Sequence, residues 1–170
     1  MHPRQTWEEI RDDEAATTEV FIEYVLPMAA IPALAHLLGF WYHGFFDTVF
    51  KAILWYALAV TGVWFLGKAI YYLASNFDAV PSETRSFQLA AYSFTPFFLA
   101  GSFYILPFLS IFVFFSGMYG VYILSLGLPV LMEAPDEKST SYSLVAGAAM
   151  LVIVVAIGHL TGGVFWPSRP

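Results

Sequence analysis

Apolar residues run along this chain in long blocks separated by short polar stretches. A hydrocarbon core about 30 Å thick needs roughly 20 mainly apolar residues, each rising about 1.5 Å along a helix. Five blocks reach that length: residues 20–40, 49–74, 87–106, 108–128 and 142–164. The pattern predicts an all-α polytopic bundle of five transmembrane helices, a single membrane domain over residues 20–170 behind an acidic segment, residues 1–19. The polar stretches fall where this division needs them. "SNFDAVPSETRS" at 75–86 parts the second and third spans, with Ser82 after Pro81 predicted to cap the helix that follows, and "PVLMEAPDEKSTS" at 129–141 parts the fourth and fifth. Only Pro107 marks a turn between spans three and four, because it removes a backbone donor and disfavours helix in the residue before it.

Composition agrees with a bilayer as solvent: 59% of the 170 residues are hydrophobic and 12% are charged, too apolar a surface for a soluble monomer. The aromatic share of 19% suits interfacial belts and packed helix faces. With no cysteine, the chain has no disulfide, thiolate nucleophile or zinc finger. The first 19 residues hold Glu8, Glu9, Asp12, Asp13, Glu14 and Glu19 against Arg4 and Arg11, the reverse of a basic cleavable leader, so the first span is expected to stay in the protein. Orientation follows from lysine and arginine. Arg4, Arg11, Lys68, Arg85 and Lys138 lie on the side of the N-terminus and Lys51 and Arg169 on the other, which predicts a cytoplasmic N-terminus and an external C-terminus. A net charge of -6 excludes nucleic acid as a partner and gives no polybasic lipid-binding surface.

Candidate chemistry is sparse. In this topology His36, His43, Asp47 and His159 reach the outer side, and imidazole and carboxylate are ordinary metal ligands, but no ligand motif links them. The reading is therefore no metal and no cofactor. Glu23 and Lys68 lie at similar depth near the cytoplasmic end and form a candidate intramembrane ion pair, structural in the first instance and an ion relay in the second. No carboxylate pair, phosphate-cradling loop or nucleophile elbow occurs, so no enzymatic activity is expected.

Small residues make a more consistent pattern. Gly158 and Gly162 share a face of span five, and Ser116 and Gly120 repeat the spacing in span four, as expected of helices whose backbones approach closely in lipid. Pro27 and Pro32 in span one and Pro96 in span three should kink or interrupt their helices, with Ser93 and Thr95 beside Pro96 able to satisfy a freed carbonyl. In "YGVYILSLGLPVLM", Tyr119 and Tyr122 sit nearly on one face, expected to hold span four against its neighbours, while Gly127 and Pro129 are expected to end the helix.

"AAYSFTPFFLAG" at 90–101, a proline-marked hairpin and then "YGVYILSLGLPVLMEAPDEKS" at 119–139 resemble the Ypt-interacting protein (Yip) family of five-span membrane proteins, in particular its bacterial inner-membrane branch. "PRQTWEEI" before "YVLPMAAIPALAHLLG" resembles the start of bacterial members. The motif positions are Tyr92, Pro96, Tyr119, Tyr122, Gly127 and Pro129, with Ala91 where the family has glycine. The acidic-aromatic-glycine-proline signature of eukaryotic relatives, which are associated with vesicle traffic and small GTPases, is not found, so GTPase binding is not carried over. The resemblance implies a multi-pass inner-membrane location. The expected function is non-enzymatic: binding or organising other membrane proteins, a second copy of the chain, or lipids of the bilayer, with a small-solute or ion transporter through Glu23, Lys68 and the proline-broken helices as the alternative.

Overall fold

The computed structural model describes residues 3–12, 16–40, 44–109 and 111–161, and among these every regular element is helical. Helix α1 is Pro3–Asp12. Helix α2, Thr17–Glu19, passes through a π-helical turn, Val20–Val25, into α3, Leu26–Phe40. Helix α4 is Phe45–Ala74, prolonged by a 3-10 turn at Ser75–Phe77. Helices α5 (Glu83–Ser93) and α6 (Thr95–Ala100) lead into a 3-10 turn, Gly101–Ile105, and a second such turn, Pro107–Leu109, precedes α7, Ile111–Leu131. Helix α8 is Asp136–Leu160.

Four helical stretches are long and apolar enough to cross a membrane: Thr17–Phe40, Phe45–Phe77, Ile111–Leu131 and Asp136–Leu160. The stretch expected as the third span is not an uninterrupted helix. It breaks at Phe94, restarts at Thr95 with Pro96 in the first turn, where a missing N–H does no harm, and tightens into 3-10 geometry. Of the two outcomes expected at Pro96, a kink or an interruption, the helix is interrupted, and Pro96 opens the next segment. Pro129, expected to end span four, sits inside α7, which runs on to Leu131. The fifth span starts at Asp136, six residues before the expected 142, because Asp136 and Glu137 suit the positive end of a helix dipole even though they read as loop. The acidic N-terminal segment, for which the sequence pattern predicted no element, contains α1 with its Trp7 buried. Ser82 caps α5 as expected, accepting from the Arg85 amide at 3.4 Å.

The segmented helix is the centre of the bundle. Phe87, Leu89, Ala90, Ala91, Phe94 and Phe98 are fully or almost fully buried, and so are the polar Ser86, Gln88 and Ser93. Apolar surface on every side is unnecessary for a helix enclosed by other helices, which explains why its sequence is less hydrophobic than its neighbours'. It lies along the whole of the first span: Thr84 meets Thr17 through their hydroxyls at 3.4 Å, and at the other end the Tyr104 carbonyl touches Gly39. A Cβ on Gly39 would lie 1.9 Å from that carbonyl oxygen, so the approach requires glycine. Between helices in lipid, dispersion contacts at such small residues supply the cohesion that the hydrophobic effect supplies in water.

Candidate functional site

The break in the central helix carries a compact polar knot. Pro96 has no amide proton, so the carbonyl of Tyr92, four residues earlier, loses its helical donor. Thr95 Oγ1 donates to that carbonyl at 2.7 Å. Its single proton is then committed, so the Tyr24 hydroxyl, 2.6 Å from Thr95 Oγ1, is the donor in that contact. The Tyr24 and Tyr92 rings meet edge to face at 4.8 Å, and Trp7 of α1 closes on Tyr92 at 6.4 Å. Helix α7 comes close at the same level: a Cβ on Gly120 would lie 2.5 Å from both the Ser93 carbonyl oxygen and Met150 Cε. About two turns further on, Gly127 makes room for the Trp7 indole and Leu89. Tyr92, Pro96, Gly120 and Gly127 are therefore one packing unit built around a helix break. Ser93, the other hydroxyl offered by the sequence, is buried with no hydrogen-bond partner for Oγ among the described residues.

A second polar feature is an ionic collar at the end where α4, α5, α7 and α8 meet. Lys68 pairs with Glu83 at 2.6 Å, Arg85 with Glu133 at 2.6 Å, and Lys138 with Asp78. Asp78 and Glu133 both adopt left-handed backbone conformations, φ 54° and 49°, which turn the two connecting loops and aim each carboxylate at a cation on a helix. The loops also join through the Val80 amide and the Met132 carbonyl at 2.8 Å. Tyr142 ties α8 to α4 by donating to the Ile70 carbonyl. All three ion pairs are partly solvent-exposed, so water screens them and none is a strong contributor to stability. They fix loop positions more than they stabilise the bundle.

Several expected juxtapositions are replaced by others. Lys68 is held by Glu83 and lies within 6.0 Å of the Trp64, Tyr71 and Phe87 rings, whereas Glu23 is exposed and makes no ion pair among the described residues. The intramembrane pair Glu23–Lys68 is thus not the pair that forms; a carboxylate fifteen residues further along, at the start of α5, is nearer. Ser116 is half-buried with its hydroxyl turned back to the Val113 carbonyl, and the residue facing α8 is Gly117, against Val154. Gly158 is buried on α8, while Gly162 lies outside the described residues. Tyr119 and Tyr122 are neighbours, 5.8 Å between ring centroids, but both point away from the bundle and do not hold α7 against it. Of the outer-side candidates, His36 is buried and stacks on Phe40 at 4.5 Å with Tyr104 at its edge, Asp47 pairs with Lys51 at 2.7 Å, and His159 is exposed. His43 lies outside the described residues, and among those described no three His, Cys, Asp or Glu side chains converge on a metal position.

The sequence reading missed Trp7 as part of the site. Its signal was Trp7 and Ile10 three apart in an otherwise charged stretch, one apolar stripe of a short helix. It also missed an apolar groove of about 260 Å³ between α3 and α4, floored by Ala33 and Ala52 and edged by Leu34, Leu37, Ile53 and Tyr56.

Comparison with known proteins agrees with this architecture. The chain is 26% identical over 184 residues to the inner membrane protein YohC of Escherichia coli K12, an alignment covering 95% of this chain and 92% of that protein, and the YohC of Escherichia coli O6:H1 matches equally. No solved structure matches the chain. The Yip1 domain family matches residues 1–157, from α1 through the helix break to all but the last turn of α8, and the chain belongs to that family.

Proposed function

We propose that this protein is a five-span protein of a bacterial inner membrane, N-terminus in the cytoplasm and C-terminus outside, that binds or organises other membrane proteins or lipids and catalyses no reaction. The fifth crossing is the central segmented helix. Its path from Glu83 to Ile105 is about 37 Å at roughly 1.5 Å per α-helical and 2.0 Å per 3-10 residue, longer than a hydrocarbon core of about 30 Å. Its two ends also flank the two ends of the first span. The collar, with Lys68, Arg85 and Lys138, then faces the cytoplasm, in keeping with the positive-inside rule. The similarity to YohC, an inner membrane protein, supports the same location.

The observation that carries the functional reading is the fate of Lys68. A transport path through Glu23 and Lys68 needs a free or switchable charge inside the bundle, and Lys68 is engaged at the collar by Glu83. What the bundle offers instead faces outward: the α3–α4 groove, apolar and open to the bilayer, fits an acyl chain or a side chain of a neighbouring helix. A photoreactive residue at Leu34 or Ile53 is expected to give a discrete adduct with a membrane protein or a lipid in living cells, while proteoliposomes show no solute or ion flux above protein-free vesicles. A flux that disappears in Glu23→Gln and Lys68→Met overturns this reading in favour of transport.

A further inference from the structure

The sixteen residues of α4 between Lys51 and Lys68 carry no charge. At about 1.5 Å per residue the two lysines stand about 26 Å apart, close to a hydrocarbon thickness of about 30 Å. Lys68 therefore lies at one edge of the hydrocarbon, within reach of the level of the lipid phosphates. The helix surface around it is one that meets lipid: Trp64 and Phe65 are exposed one turn toward the membrane centre, and Tyr72 one turn toward water. Two opposite charges stand side by side on this surface. Lys68 Nζ donates to Glu83 Oε1 at 2.6 Å and lies over the rings of Trp64 at 5.8 Å, Tyr71 at 6.0 Å and Phe87 at 5.7 Å, which hold the ammonium in place. Neither group is used up by the pairing. An ammonium has three donors and this one meets a single acceptor among the described residues, while the Glu83 side chain is 53% exposed and has a second oxygen.

We propose that Lys68 and Glu83 together bind the headgroup of an ethanolamine phospholipid, its phosphate on the Lys68 ammonium and its own ammonium on the Glu83 carboxylate, with the acyl chains lying along α4 past Trp64 and Phe65. The proposal rests on the binding function proposed above and names the lipid class. An anionic headgroup meets Lys68 but is repelled by Glu83. The rest of this end repels it too, because Asp78, Glu83, Glu133, Asp136 and Glu137 outnumber Lys68, Arg85 and Lys138. A choline headgroup brings both charges but no N–H to donate to the carboxylate. Ethanolamine brings a phosphate and a donor ammonium one short link apart, so the four charges alternate in sign around the site and each charged hydrogen bond finds its partner.

Native mass spectrometry of the full chain in detergent tests this, with phosphatidylethanolamine, phosphatidylcholine and phosphatidylglycerol of identical acyl chains added in turn. The unaltered chain is expected to retain phosphatidylethanolamine at least about five-fold better than either of the others. Equal retention of the three, or strongest retention of phosphatidylglycerol, overturns the proposal without any variant. Glu83→Gln is expected to bring the ethanolamine and choline lipids to parity, and Lys68→Met to weaken both about five-fold. Glu133→Gln opens a different collar pair and is expected to leave the preference as it is. A preference that survives Glu83→Gln, or that is lost equally in Glu133→Gln, overturns the assignment to Lys68 and Glu83. Equal headgroup retention together with a groove adduct to a protein overturns the lipid site and leaves the binding function standing. Flux that disappears in Glu23→Gln, with the ethanolamine preference intact, removes the function and not the site.

Discussion

Thr95 decides how the central helix survives its break. It answers the carbonyl that Pro96 leaves open and receives the Tyr24 hydroxyl, so its two neighbours depend on it unequally. Thr95→Val strands both a carbonyl and a phenol and is expected to cost about 1–2 kcal/mol, whereas Tyr24→Phe removes only the outer bond and is expected to cost less, about 0.5 kcal/mol. Unfolding of the detergent-solubilised protein measures the difference; equal losses would contradict the direction of the hydrogen bonds derived above. The sequence offered this role in outline, since Ser93 and Thr95 both stand beside Pro96 and proline's missing donor is a local fact. Which hydroxyl takes it was not legible, because that depends on where Tyr24, seventy-one residues earlier, arrives in space. The same limit explains Lys68, whose partner was chosen by depth alone when Glu83 sits at the start of the adjoining helix, and Ser116, whose place at the α8 contact belongs to Gly117.

At the scale of elements, block length made four spans legible, because apolar length is what a bilayer selects. The break in the third apolar block was legible from Pro96, but its place at the centre of the bundle was not, since sequence does not report that Phe87, Leu89 and Ala90 are enclosed by other helices. Helix α1 was missed because its ten residues are mostly polar, and only packing against Gly127, Leu89 and Tyr92 gives Trp7 a place. That packing is testable. Trp7→Ala removes the buried indole that anchors α1 on α7 and is expected to raise amide exchange across residues 6–12 by at least about ten-fold, the equivalent of about 1.4 kcal/mol, with no change in the middle of α4. Unaltered exchange in α1 would mean that the helix is held by something other than Trp7.

For the whole molecule, the account describes four apolar helices sheathing a fifth, polar and segmented, with the charged residues collected into a collar at one end and the unused aromatic surface on the outside. Such a bundle has its charged groups engaged in its own cohesion, which is the basis of the binding role proposed above. Everything about its sidedness, including which face carries the collar, depends on the central helix being a full crossing. Five crossings put the chain's ends on opposite sides of the membrane, and four put them together. The direct measurement is labelling of single cysteines with a membrane-impermeant maleimide in intact cells and in lysed cells, using Arg11→Cys at the end of α1 and a cysteine appended after Pro170. The predicted result is that the appended cysteine reacts in intact cells while Arg11→Cys reacts only after lysis; both cysteines reacting from the same side would contradict it.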